Sequence, residues 1–167
     1  MKNVKRLTVL GVLSTVCLVL SFVETLIPPL IASVPGIKLG LPNIIIIFVL
    51  YRFSTVEAAV VSLVRLIAVA LLFGSALTFA YSLAGAVLSL AVMAVLGKLN
   101  LFSKVGVSVA GGVSHNIGQI LVAIVVLATK EIGYYFPVLA VSGIVSGVFI
   151  GLVSVELTNR LEKIKLE

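Results

Sequence analysis

Six apolar runs occupy most of the chain, at about Leu7–Ile27, Pro42–Tyr51, Val56–Phe73, Leu77–Leu96, Val107–Thr129 and Phe136–Val155. Every run but the second is long enough, as a helix, to cross a hydrocarbon core of roughly 30 Å. A soluble fold could not bury them: hydrophobic residues make up 61% of the 167 and charged residues only 11%, against roughly 45–50% apolar in soluble domains. The runs do not alternate in polarity, which separates them from the strands of an outer-membrane barrel. The expected fold is therefore an all-α integral membrane protein, a six-transmembrane-helix bundle forming one domain over residues 1–167. No length remains for a separate soluble domain.

The short second run decides the topology. If it crosses, Lys2, Lys5, Arg6, Arg52, Lys98, Lys104, Arg160, Lys163 and Lys165 share the side of the N-terminus, opposite Lys38 and Lys130, with Arg65 inside the bilayer. If it only dips in and returns, the cationic excess moves to the other side. The positive-inside rule favours six crossings of the cell membrane with both termini cytoplasmic. The first run is longer than a signal-peptide core and reads as a retained span. A ten-residue helix rises about 15 Å, so the chain from about Pro35 to Leu41 is expected to enter the membrane region in non-helical form. Such backbone is tolerated only against protein or a wet cavity. The stretch PGIKLGLPNIIII then reads as an inserted outer plug leading into a short helix, with Pro42 at its first helical position.

Small residues recur at helical spacing. Gly143, Gly147 and Gly151 form a stripe in the sixth run, Thr78, Ser82, Gly85 and Ser89 in the fourth, and Gly11 with Thr15 a shorter one in the first. Such stripes let backbones approach closely, mostly within one bundle. Cys17, the lone cysteine, can form no internal disulfide and reads as a small packing residue.

Polar groups inside a bilayer are costly, so each is a functional candidate. Arg65 falls near the middle of the third run, and Glu24 near the outer end of the first. GGVSHNIGQ carries the densest polar cluster, with His115 and Gln119 one turn apart and Asn116 about 100° round. Lys38, Arg65 and the N-terminus of the second helix, with its unpaired N–H groups, bias an outer pocket toward an anion with an apolar body. No nucleotide-binding loop, zinc-protease motif, nucleophile elbow or paired Cys/His ligands occur, so no enzymatic activity, metal or cofactor is expected. The net charge of +6 is scattered at span ends rather than gathered on one face, which argues against a nucleic-acid partner.

The strings PGIKLGLPNIIII, FGSALTFAYSLAGA and GGVSHNIGQ resemble the substrate-binding S-components of energy-coupling-factor (ECF) transporters, and more closely the Gx transporter family, also known as heptaprenyl diphosphate synthase component I. The resemblance covers nearly the whole chain. It implies a bundle with an inserted first outer loop that captures a small molecule outside the cell and works with a transmembrane coupling subunit and two cytoplasmic ATPases. It further implies a site on the outer half containing Lys38, Asn43, Tyr81, His115, Asn116 and Gln119, beside Arg65. Gly11 and Thr15 would dock the coupling subunit, although they depart from the alanine pair usual there. The family's second name connects it with isoprenoid or quinone precursors, and leaves a non-catalytic membrane scaffold for polyprenyl or quinone synthesis as the alternative. Nothing resembles an aspartate-rich prenyl-transfer motif.

Overall fold

Serines open three of the helices. Ser54, Ser75 and Ser103 sit in extended backbone and accept hydrogen bonds from the N–H groups of Glu57, Thr78 and Gly106, three residues on, satisfying donors that a helix N-terminus otherwise leaves open. A computed structural model describes residues 2–27 and 39–161. Its helices are α1 (Lys2–Leu26), α2 (Asn43–Arg52), α3 (Thr55–Leu72), α4 (Ala76–Leu99), α5 (Lys104–Leu127) and α6 (Phe136–Leu161), with a 3-10 turn at Lys130–Tyr135 before α6. No strand occurs among the described residues. Five of these segments are long and apolar enough to cross a membrane, α2 being the exception, so the chain is an integral membrane helical bundle. Several helices outrun their apolar runs at the cation-bearing end, α1 back to Lys2, α4 to Leu99, α5 back to Lys104 and α6 to Leu161. A helix satisfies its own backbone bonds and can therefore project past the hydrocarbon.

Two contacts fix how α1 and α3 run. Near the start of both, Arg6 donates from Nε and a terminal nitrogen to the two carboxylate oxygens of Glu57, at 2.6 and 2.8 Å. Near the end of both, the rings of Phe22 and Phe73 lie 5.2 Å apart. The helices are parallel, so the chain between them returns through the bundle, and α2 lies on that return. The remaining helices alternate. Gly85 and Gly118 of α4 and α5 face His115 and Ala84, and Gly112, Gly147 and Gly151 face Gly143, Val109 and Val105; in each pair one number rises as the other falls, the mark of antiparallel packing. Arg6, Arg52, Lys98, Lys104 and Arg160 thus gather at one end of the bundle and Lys130 at the other.

The ten-residue α2 is the core of the cation-bearing half. Ile44 to Val49 are all buried, between α1, α3 and α6, which is why its apolar character runs right round the helix instead of along one stripe. Phe48 and Val49 are wholly enclosed, and Phe48 meets Phe53 edge to face at 6.5 Å. Polar side chains from two neighbours hold the start of α2: Cys17 Sγ lies 3.5 Å from the Pro42 carbonyl, and Ser154 Oγ donates to the Ile44 carbonyl at 3.1 Å. Pro42 is buried and forms the N-cap in αR backbone, one residue before the first helical position expected for it. Pro35, Gly36 and Lys38 lie outside the described residues, so of the expected inserted segment only Leu39 to Pro42 is in view.

Between α5 and its neighbours α4 and α6, close approach depends on missing side chains. A Cβ at Gly147 would lie 2.6 Å from the Cα of Val109, and one at Gly118 would lie 2.6 Å from the carbonyl oxygen of Ala84. In a membrane this close packing, not the hydrophobic effect, holds helices together. Gly147→Ala and Gly118→Ala should each destabilise the bundle by about 1–3 kcal/mol, the usual cost of overpacking. Gly11, with nothing within 4 Å of a would-be Cβ, should accept alanine with no loss. Thermal unfolding of the three variants in one detergent measures the difference; equal melting temperatures would refute the packing account.

Candidate functional site

Because α2 starts halfway through the bundle, the other half of the centre is not filled by helix. A cavity of about 150 Å3 occupies that space. Its floor is Pro42 and Asn43 at the start of α2, and its walls come from α1 (Ser21, Glu24, Thr25), α3 (Arg65, Val69, Phe73), α4 (Thr78, Phe79, Ser82), α5 (Gly112, His115, Asn116, Gln119) and α6 (Ser146, Ile150). An apolar cavity of this size stays dry, whereas one lined by this many polar groups holds water or a polar ligand.

Arg65 is the cation of this wall among the described residues. It sits ten residues into α3, and its electrostatic neighbours are Glu24 and Cys17. Its Nε is buried with no hydrogen-bond partner, and no hydrogen bond or ion pair of Arg65 occurs among the described residues. A buried guanidinium nitrogen left unsatisfied in this way is costly, which marks it for an acceptor supplied from beyond the described residues.

Glu24 has a structural task. Its carboxylate accepts a hydrogen bond from the backbone N–H of Gly40, holding the incoming chain against α1 beside the cavity floor. Gly40 has φ +74°, a left-handed conformation suited to glycine, and a Cβ there would come within 3.1 Å of both Asn43 and Ile150. The turn it makes also removes one expected feature. The N–H groups of Asn43, Ile44 and Ile45 donate to the carbonyls of Gly40, Leu41 and Pro42 at 2.8 to 3.1 Å, so the start of α2 does not offer the unpaired donors anticipated for an anion. An attraction for an anion would have to rest on side chains instead.

His115 and Asn116 are placed by two different neighbours. On α4, Gly85 leaves room for the imidazole: a Cβ there would be 2.8 Å from Cε1 and Nε2. Asn116 Nδ2 donates to the Leu139 carbonyl of α6 at 2.6 Å, so its amide ties two helices together while it lines the cavity. Asn43, Arg65, His115, Asn116 and Gln119, which lie on three different helices, therefore meet around one cavity. Tyr81 does not join them. The cavity face of α4 is Thr78, Phe79 and Ser82, and at 100° per residue Tyr81 projects roughly 100° away from its centre. Lys38 lies outside the described residues. Gly11 and Thr15 are exposed on the outer face of α1, far from the cavity.

Sequence reasoning overlooked Ser21, Thr25 and Ser146 as wall residues and treated Thr78 and Ser82 as packing alone. The signal was present on α1, where Ser21, Glu24 and Thr25 share one face at spacings of three and four. No group of His, Cys, Asp or Glu among the described residues is arranged to hold a metal. Since the chain has a single histidine, isotope-labelled histidine gives one imidazole signal in NMR. Gly85→Ala should shift that signal by displacing the ring, and Gly11→Ala should leave it unmoved; an unchanged spectrum in both would refute the packing of His115 against Gly85.

Comparison with known proteins adds one finding. No curated protein and no solved structure matches the chain. The profile of heptaprenyl diphosphate synthase component I matches residues 13–157, a stretch that runs from α1 to α6 and includes every wall residue of the cavity. The chain therefore belongs to the heptaprenyl diphosphate synthase component I family.

Proposed function

We propose that the chain is the substrate-binding S-component of an ECF-type uptake transporter. It captures a small anionic or amphipathic molecule, an isoprenoid or quinone precursor being the class suggested by the family's name, and passes it across the cell membrane when partner ATPases act. The observation that carries this reading is the buried, hydrogen-bond-free Nε of Arg65 in a polar cavity. The cavity lies in the half of the bundle remote from the gathered cations, so with the cation-bearing end and both termini cytoplasmic it faces outward. In this reading Lys38, Asn43, Arg65, His115, Asn116 and Gln119 serve the ligand, and Tyr81 lies behind the wall. The role is non-catalytic.

The exposed face of α1 supports a partner. Gly11 and Thr15 are exposed there together with Val4, Leu7, Val12 and Val19, leaving a small-residue groove against which another membrane helix can pack closely. The coupling subunit would dock there, with two ATPases attached beneath it.

Purification from native membranes, followed by mass spectrometry of both proteins and small molecules, tests the proposal. The chain should retain a small acidic compound and bring down a membrane subunit with ATPases. Gly11→Leu should lose the ATPases and keep the compound. Lys38→Ala and His115→Ala should weaken retention of the compound, by about tenfold for loss of one hydrogen bond to a charged group, and keep the ATPases. Copurification with a prenyl synthase in place of ATPases would replace transport with a scaffold role.

A further inference from the structure

The polarity of the cavity has a direction. Arg65 lies eight residues before Phe73 on α3, about 12 Å deeper along the axis, at the level of Cys17 and the start of α2. Between them the α3 wall is Leu66, Val69 and Ala70, all apolar, and Phe79 of α4 continues that surface. Glu24 springs from α1 two residues beyond Phe22, and its carboxylate turns inward onto the Gly40 N–H, near enough to Arg65 to act on its charge. A ligand with its charge at the Phe73 end would leave the Arg65 Nε unsatisfied.

Size and charge restrict the ligand further. A cavity of about 150 Å3 is the volume that receives a benzene molecule in a protein core. A chain of seven isoprene units, each nearly as large as that ring, is several times too big. Arg65 is the one cation of the described wall, enough to pair with a single negative charge, whereas a diphosphate would need further cations from beyond the described residues. The planar guanidinium matches the two oxygens of a carboxylate.

We infer that the cavity takes a carboxylate with a body of about one ring, head inward, its two oxygens on the Arg65 guanidinium and its apolar part against Val69, Phe73 and Phe79. This rests on the ligand-capture reading above and narrows it to a monoanionic acid of defined size and orientation. It also separates this site from the polyprenyl product in the family's name.

Full-length protein in lipid nanodiscs can be titrated with benzoate, benzamide, phenyl phosphate and acetate. Benzoate should bind at least tenfold more tightly than benzamide, which lacks the charge, than acetate, which lacks the ring, and than phenyl phosphate at a pH where it is dianionic. Arg65→Gln should abolish the preference for benzoate over benzamide, and Arg65→Lys should keep the preference for charge with weaker binding. Phe79→Ala should weaken benzoate and leave acetate unchanged. The comparison among probes on the unmodified protein stands even if a variant fails to fold. Equal binding of benzoate and benzamide, or tighter binding of phenyl phosphate, overturns the inference. If that result comes with ATPases and a compound still copurifying, only the ligand assignment falls and the transport reading survives.

Discussion

A bilayer core about 30 Å thick admits no backbone with open hydrogen bonds, and the return crossing here carries a helix of only ten residues, about half that span. Every other feature of the molecule follows from how the missing half is made up. The turn at Gly40 to Pro42 closes its own backbone bonds and leans on the Glu24 carboxylate. Above it the five long helices enclose water-accessible space rather than side chains. A full-length second helix would have filled the bundle from end to end and left Arg65 with nowhere to face.

The packing that permits this is uneven. On the α4–α5–α6 side, glycines bring backbones to the limit of contact, making a rigid wall into which His115 and Asn116 are set by Gly85 and the Leu139 carbonyl. On the other side α1 is tied to α3 at its two ends, through Arg6–Glu57 and Phe22–Phe73, and shares a buried cluster with it at Leu13, Cys17, Ala58 and Val61, while the rest of its surface is open. A rigid wall suits recognition, which needs fixed donor positions. An open helix with small residues suits a partner. In the proposed reading, ligand and partner therefore use different flanks of one bundle, so that a substitution on one can be made without touching the other.

The charges are arranged with equal economy. Cations at the helix ends sit where water reaches them, as with Arg6 over the Phe53 ring and Lys104 over that of Tyr51, and their bias to one end orients the protein in the membrane. Arg65 is the described cation that lies midway along a membrane-length helix. Its cost is the reason to regard the cavity as a binding site rather than a packing fault.

Much of the architecture could be read from composition and periodicity. The apolar runs forced a helical membrane bundle and the glycine spacings foretold close packing, because burial in lipid and close approach of backbones depend on nearby residues alone. The polar residues of GGVSHNIGQ and Arg65 stood out for the same reason: they are expensive where they sit. What only the tertiary structure decided was who meets whom. The parallel run of α1 and α3, the pairing of Gly85 with His115, the use of Glu24 as an anchor, the closed donors at the start of α2 and the turning away of Tyr81 all depend on contacts between residues far apart in the chain. Such contacts are set by the rotation and depth of each helix against its neighbours, quantities that no single span contains.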